Sequence, residues 1–169
     1  MSLATRFGPH LVTSQVFYRS PSSLSCALVN LKPLKLLHVL IIPQRVVPRL
    51  KDLTKEEVAD LFQTAQLIGS VVEQEANADS LTIALQDGVN AGQTVPHVHI
   101  HVIPRKAQDY PDNDMIYEAL DSDEADLGKA HAAQGSGRRT QWEKVDDADR
   151  VARTIEDMER EAKWLSTLF

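Results

Sequence analysis

The stretch from Pro96 to Arg105 constrains the fold of this chain more than any other, because polar and apolar side chains alternate along it. Its centre reads His97-Val98-His99-Ile100-His101-Val102. Successive side chains of a β-strand point to opposite faces, so an extended segment predicts imidazoles on one face and branched apolar residues on the other. Packing explains only the apolar face. The histidine face therefore needs a functional interpretation.

Three interpretations of the histidine face compete. It could be the polar outer surface of a half-buried strand, although histidine is too uncommon for such a row to arise readily by accident. It could bind a metal ion, but imidazoles in a straight row converge poorly on one ion, and Cys26 is the only cysteine. The third interpretation is nucleophilic catalysis, because a neutral imidazole can accept a phosphoryl-type group and divide one displacement into two. We favour the third.

The rest of the chain predicts an α+β domain with a mainly antiparallel sheet, one central helix and a C-terminal helix. Strands are predicted near residues 7–11 and at 16–20, 24–31, 39–42 and 80–86. A helix is predicted at 53–76, where Thr54 and Glu57 form a capping box. Its buried stripe is predicted to contain Val58, Leu61, Phe62, Ala65, Ile68 and Val72. A glycine-containing loop at 87–94 predicts antiparallel pairing of strand 80–86 with the histidine strand.

The pattern weakens after Arg105. A short helix is predicted at 114–120. Residues 121–141 are acidic and then rich in Gly, Ser and Ala, a composition that buries little and predicts a flexible loop. Helical periodicity returns towards the end of the chain. We therefore expect one domain at 1–120, a loop at 121–141 and the C-terminal helix of the same domain at 142–169.

Charge and cysteine content limit the classes of function. Residues 1–51 carry a net charge of +7 and the remainder carries −13. The net charge of −6 argues against broad nucleic-acid binding, while the basic first third favours a small polyphosphate ligand. A single cysteine fits a reducing compartment, and no apolar run approaches the roughly 18 residues of a membrane span. We therefore expect no nucleic-acid or membrane partner and a cytoplasmic location, with the nucleus left open.

The segment from His97 to Ile103, read as His-φ-His-φ-His-φ-φ, resembles the signature of the histidine triad (HIT) family of nucleotide hydrolases and transferases. The run from Gln86 to Val95, with Pro104-Arg105-Lys106 after the triad, looks like the fragile-histidine-triad (Fhit) branch. This resemblance implies hydrolysis of dinucleoside polyphosphates, such as diadenosine triphosphate, to a nucleoside monophosphate and a nucleoside diphosphate. It also implies a homodimer with a shared sheet. Magnesium or manganese would arrive with the substrate rather than occupy a protein site.

The resemblance also implies roles for individual residues. His99 would be the nucleophile that carries the nucleotidyl group, His97 would orient the triad, and His101 would donate to the leaving phosphate. His38 would support the triad without contacting the substrate. Substrate contacts are implied for His10, Asn30, Gln86, Gly92, Gln93, Thr94, Val95 and His101. From the residues alone, Asn30 is more simply a loop cap.

The chain departs from the family pattern immediately before His38, where Leu36-Leu37 replaces the family's Pro-Gly. Glycine adopts positive φ readily and leucine only at a cost, so a different turn is expected here. Two other functions stay open. One is another HIT activity, such as phosphoramidate hydrolysis or nucleotidyl transfer. The other is a nucleotide-bound signalling module, with Tyr117 and the loop at 121–141 on its surface.

Overall fold

A computed structural model describes residues 4–122 and 152–169, and the structural statements below concern these ranges. The strands of the central sheet are β3 (Val16–Arg19), β4 (Ser25–Val29), β5 (Val39–Pro43), β6 (Ser80–Ala84) and β7 (Ile100–Arg105). They are antiparallel and lie in the order β3-β4-β5-β7-β6. The predicted α+β class with a mainly antiparallel sheet is confirmed.

Helix α1 (Lys55–Glu75) covers one face of this sheet. The Thr54 hydroxyl accepts the Glu57 backbone N–H at 3.2 Å, and Glu57 Oε2 accepts the Thr54 N–H at 2.8 Å, so the capping box is confirmed. The main core lies between helix and sheet, and contains Leu61, Ala65, Ile68, Val72, Val98, Ile100 and Val102. Phe62 is 45% exposed, so its assignment to the buried stripe was wrong. One residue beyond Leu61, it is turned by about 100° from the sheet.

The opposite face of the sheet carries a smaller core with an N-terminal hairpin beside it. The hairpin pairs β1 (Arg6–Phe7) with β2 (His10–Leu11). The predicted first strand at 7–11 was therefore wrong, because Gly8 adopts a φ of 56° and reverses the chain. The residues of this core are Phe7, Val12, Cys26, Leu28, Leu40, Ile42 and Val95.

Two shorter helices complete the described fold. Residues 115–122 are helical (α2), and Ile116 and Leu120 pack against Ile103 of β7. Helix α3 (Ile155–Leu165) adds Met158, Ala162 and Leu165 to the main core. Most of the predicted loop at 121–141, and the first part of the predicted helix at 142–169, lie outside the described residues. In the described ranges, none of the helices combines the length and apolar character needed to cross a membrane.

Strands β6 and β7 pair antiparallel as predicted, with Ala84 opposite His101. However, β7 begins only at Ile100, so the prediction of one strand through all three histidines was wrong. The backbone before Ile100 bonds elsewhere: the His97 N–H donates to the Val95 carbonyl at 2.7 Å, and the Val98 N–H donates to the Val47 carbonyl at 2.7 Å. Two of the triad histidines therefore lie in the segment that leads into the strand.

The turn before β5 forms although it contains no glycine. The His38 N–H donates to the Lys35 carbonyl at 3.1 Å, and Leu37 adopts a φ of 60°. This conformation costs a leucine about 1–2 kcal/mol. However, Leu37 is only 4% exposed within the main core, and burying a leucine side chain contributes about 1.5–3 kcal/mol. Leucine therefore adopts positive φ at this turn because burial offsets the strain, and the cost alone does not require a different turn.

We expect Leu37→Ala to be less stable than Leu37→Gly. Both variants lose the buried side chain, but only glycine relieves the strained backbone, so the free energies of unfolding should differ by about 1 kcal/mol. Urea unfolding followed by circular dichroism measures the difference. Leu61 in α1 is the matched control, where the order should reverse because glycine is about 1 kcal/mol worse than alanine inside a helix. Equal stabilities of the two Leu37 variants would contradict the strain argument.

Candidate active site

Four histidines lie together on the face of the sheet opposite α1. His101 projects from β7 towards His38, which precedes β5, and Nε2 of His38 lies 2.9 Å from Nδ1 of His101. The ring centroids of His99 and His101 are 5.1 Å apart. His97 and His99 both contact the ring of Phe7. The structure therefore brings the predicted triad and its predicted supporting histidine into one buried cluster.

A backbone group determines which nitrogen of His38 and of His101 carries the proton. The Leu34 N–H donates to Nδ1 of His38 at 3.0 Å, so neutral His38 carries its proton on Nε2. That Nε2–H donates to Nδ1 of His101. His101 in turn carries its proton on Nε2. The ring of His101 thus presents an N–H donor on the side away from His38.

His99 has the opposite tautomer. Its Nδ1 lies 2.8 Å from the backbone carbonyl oxygen of His97, which can only accept a hydrogen bond. Nδ1 is therefore the protonated nitrogen and the lone pair is on Nε2. A neutral imidazole with this arrangement is a nucleophile at Nε2. Consequently, a nucleophile and a hydrogen-bond donor lie on adjacent rings.

His97 is held by the backbone on both sides of its ring. The Gly8 N–H donates to Nδ1 at 3.1 Å, and Nε2–H donates to the Pro43 carbonyl at 3.0 Å. Burial lowers the pKa of His97 to about 4, so the ring is neutral at pH 7. With both nitrogens bound to the backbone, His97 is suited to orienting the cluster rather than to exchanging protons.

Gln93 holds together the loop that leads into the triad. Its Oε1 accepts the Gly88 N–H at 2.8 Å. Its Nε2 lies near three backbone carbonyls, including that of His97 at 3.2 Å. The same carbonyl oxygen accepts the hydrogen bond from Nδ1 of His99. Gln93 therefore helps to aim the oxygen that sets the tautomer of His99, and a phosphate contact from its amide would require an exchange of partners.

A cavity of about 300 Å³ opens beside this loop, lined by Pro48, Arg49, Gly88, Val89, Gln93, Thr94 and Pro96. Arg49 supplies a cation to its wall and pairs with Asp87, from Nε to Oδ1 at 3.1 Å. A larger cavity of about 470 Å³ lies at the other end of the β6–β7 pair, near Ser80 and Tyr117. Neither lining contains a triad histidine, but the smaller cavity is lined by Gln93, Thr94 and Pro96, which lead directly into the triad, so we consider it the more relevant to the chemistry.

Of the predicted substrate contacts, Asn30 lies next to the cluster. Asn30 is fully buried, its Oδ1 accepts the Lys32 N–H at 3.0 Å, and its Nδ2 lies 3.3 Å from Nε2 of His38. It is therefore a loop cap, and it also contacts the supporting histidine. His10 is half-buried in the N-terminal hairpin, and burial lowers its pKa. Gln86 follows the end of β6, and its Nε2 donates to Asp121.

Arg153 is a residue that the sequence analysis missed. Its Nε donates to the Asn30 carbonyl at 3.1 Å, Nη2 donates to the same oxygen, and the guanidinium pairs with Glu161 of α3. The C-terminal helix is thereby attached to the Asn30 end of the site. One signal could have identified it: a cation immediately before the N-cap Thr154 is unfavourable for the helix dipole and needs a partner elsewhere.

The donor groups of the site do not form a metal-binding set. Within residues 4–122 and 152–169, no group of three His, Cys, Asp or Glu side chains is arranged to hold a metal ion. The ring contacts described above are instead made to backbone groups and to other rings.

Known proteins resemble this chain over almost its whole length. A HIT domain profile matches residues 11–108. The chain is 46% identical to the asymmetrical bis(5'-nucleosyl)-tetraphosphatase of Schizosaccharomyces pombe, with 96% of this chain and 93% of that protein aligned. It is 49% identical to the bifunctional bis(5'-adenosyl)-triphosphatase/adenylylsulfatase FHIT of Arabidopsis thaliana, over 96% of this chain and 83% of that protein.

Solved structures of related proteins share the fold of this chain. The Plasmodium falciparum diadenosine triphosphate hydrolase matches with a TM-score of 0.70 and 27% identity, over 99% of this chain and 85% of that one. The Caenorhabditis elegans NitFhit protein matches with a TM-score of 0.61 and 43% identity, over 74% of this chain and 30% of that one.

We expect the free energy of unfolding to fall as the pH is lowered from 6.5 to 4. The pKa of His97 falls from 6.5 to about 4 in the folded protein, so the unfolded chain binds the proton first and stability rises with pH across this window. The full effect is about 3 kcal/mol. His97→Gln should flatten the dependence, because glutamine can bond to Gly8 and Pro43 without titrating.

Urea unfolding at pH 7 and at pH 4.5 measures this effect. His10→Gln is the matched control, because His10 is only half-buried and should contribute less to the slope. An unchanged pH dependence in His97→Gln would contradict the assignment.

Proposed function

Because the chain belongs to the histidine triad (HIT) family, in its Fhit branch, we propose that it hydrolyses dinucleoside polyphosphates of the diadenosine triphosphate type through a nucleotidyl group on His99. Relatives whose names state such activities cover almost the whole chain. The observation that carries the mechanism is the contact of His99 Nδ1 with the His97 carbonyl at 2.8 Å, since it leaves the lone pair on Nε2.

In the first step, Nε2 of His99 attacks the α-phosphorus. A phosphorus–nitrogen bond forms and the bond from phosphorus to the bridging oxygen breaks, so a nucleoside diphosphate leaves when the substrate is a triphosphate. Negative charge grows on that oxygen, and a donor aimed at it stabilises the transition state more than the ground state. The Nε2–H of His101 is the donor. The positive charge on the modified His99 is stabilised by the carbonyl bound to its Nδ1.

In the second step, water attacks the same phosphorus. The phosphorus–nitrogen bond breaks, its electron pair returns to Nε2 of His99, and the nucleoside monophosphate is released with the oxygen of the water. The water loses its proton to solvent. His97 takes no part in proton transfer and keeps the reacting ring of His99 in place through its carbonyl, while its own ring is bound to Gly8 and Pro43.

The remaining predicted contacts are assigned to substrate binding. Asn30 would hold the ribose. The Gly92–Val95 loop, with Thr94, would bind the phosphates, with Gln86, Gln93 and His10 beside them. The backbone N–H groups of Gly92 and Gln93 donate to the Val89 and Gly88 carbonyls and would have to exchange partners to bind phosphate. Magnesium or manganese would arrive with the polyphosphate and offset its charge. His99 is only 1% exposed, so covering groups must move before the α-phosphorus reaches Nε2. We place this activity in the cytoplasm because the chain has a single cysteine.

We expect His99→Asn and His99→Ala to lose several orders of magnitude in turnover, because each removes the nucleophilic nitrogen. Asparagine is the sharper variant, since its amide N–H can still bond to the His97 carbonyl and maintain the fold. The measurement is product formation from nucleosides linked by three, four and five phosphates, with radiolabelled substrate to detect label on His99 of the wild type. Near-normal turnover of either variant would contradict the mechanism.

The same assay separates the alternatives. Tight binding without turnover would favour the signalling module. A preference for a nucleoside phosphoramidate would favour another HIT activity. The relatives include both triphosphatases and a tetraphosphatase, so the series of phosphate-chain lengths also defines the substrate.

We also propose a homodimer in which β6 continues the sheet into a second copy. At the other edge of the sheet, β3 is contacted by α3, whereas β6 carries Ile83, which is 48% exposed. An edge strand with an exposed apolar residue is suited to pairing with another strand. Phe62 of α1 adds an exposed ring on the helix that packs against β6.

We expect Ile83→Lys to shift the protein from dimer to monomer, because a lysine would be buried in the interface without a partner. Light scattering after size-exclusion chromatography measures the mass. Leu11→Lys is the control, since Leu11 is also exposed but lies in the N-terminal hairpin. A dimer that survives in Ile83→Lys, or that dissociates equally in Leu11→Lys, would contradict this interface.

A further inference from the structure

A carboxylate binds the amide of Gln86 beside the proposed phosphate loop. Gln86 Nε2 donates to Asp121 Oδ1 at 2.8 Å, and Asp121 lies near the end of the described part of α2. The other polar atom of this amide, Oε1, is buried and has no hydrogen-bond partner among the described residues. The contact with Asp121 is therefore the interaction that orients the Gln86 side chain in this part of the structure.

The Gln86–Asp121 pair lies directly against Gly92. A Cβ at Gly92 would be 2.6 Å from Gln86 Nε2 and 3.4 Å from Asp121 Oδ1. Gly92 has a φ of 94° and opens the Gly-Gln-Thr-Val segment that leads to the triad. Gln86 also follows β6 while His99 precedes β7, so both lie at the same end of the antiparallel pair. The carboxylate is thus placed next to the backbone that would receive phosphate.

We propose that Asp121 is a specificity-determining residue that weakens polyphosphate binding and disfavours longer phosphate chains. The inference rests on the proposed function, because it needs a polyanionic substrate that binds at Gln86 and Gly92. A phosphate oxygen and the Asp121 carboxylate compete as acceptors for the Gln86 amide. In addition, the negative charge of Asp121 repels the substrate, and this repulsion grows with the number of phosphates. Binding of a phosphate at Gln86 therefore requires that the hydrogen bond between Gln86 and Asp121 breaks.

Asp121→Asn tests the charge, because asparagine can still accept from Gln86 while the negative charge is removed. We expect its KM to fall roughly three- to tenfold at low ionic strength, with a larger fall for a tetraphosphate than for a triphosphate and little change in kcat. The difference should shrink at high salt, because exposed charges are screened. Asp121→Ala removes both the charge and the acceptor, so its KM should fall at least as far.

Glu118→Gln is the matched control. Glu118 is exposed one turn earlier on α2 and loses the same charge, but among the described residues the hydrogen bond of the Gln86 amide is made to Asp121 and not to Glu118. Its KM should stay close to that of the wild type. An unchanged or higher KM in Asp121→Asn, or an equal fall in Glu118→Gln, would overturn the proposal.

A binding measurement separates this inference from the proposed function. Titration calorimetry with inorganic tripolyphosphate reports anion affinity whether or not the enzyme turns over substrate. Tighter binding by Asp121→Asn than by the wild type would support the role of Asp121 even if dinucleoside polyphosphates were not hydrolysed. Equal affinities would overturn the role of Asp121 even if dinucleoside polyphosphates were hydrolysed.

Discussion

The chemistry of this site depends on backbone groups that determine where the protons lie on four buried imidazoles. The Leu34 N–H acts through His38 on His101, and the His97 carbonyl acts directly on His99. Backbone amides do not titrate in this pH range, so the fold itself selects the tautomers. Adjacent rings thereby acquire opposite roles, one presenting a lone pair and the other a donor, although both are histidines.

The periodic features of the fold were predictable from the sequence. The alternation around Val98, Ile100 and Val102 identified the apolar face that belongs to the main core, and the capping box at Thr54 identified the start of α1. The beginning of β7 was not predictable, because it depends on a hydrogen bond from Val98 to Val47, far away in the chain. A local pattern contains no information about such a partner.

The clustering of the triad histidines with His38 was predictable, mainly through resemblance, but the contacts of the loop that leads into the triad were not. The hydrogen bonds of Gln93 join backbone groups from separate segments, and no spacing in the sequence indicates them. Leu37 shows a second limit of prediction from the sequence. The cost of positive φ follows from the residue type, whereas the burial that offsets it depends on the assembled core.

The attachment of Arg153 to the Asn30 carbonyl limits how far this enzyme can be shortened from its C-terminal side. The HIT profile ends at residue 108, and a fragment cut there would retain every histidine of the cluster. It would nevertheless lack the guanidinium that secures the loop after β4, together with the apolar face that α3 contributes to the core. The packed core therefore extends beyond the segment that the HIT profile matches.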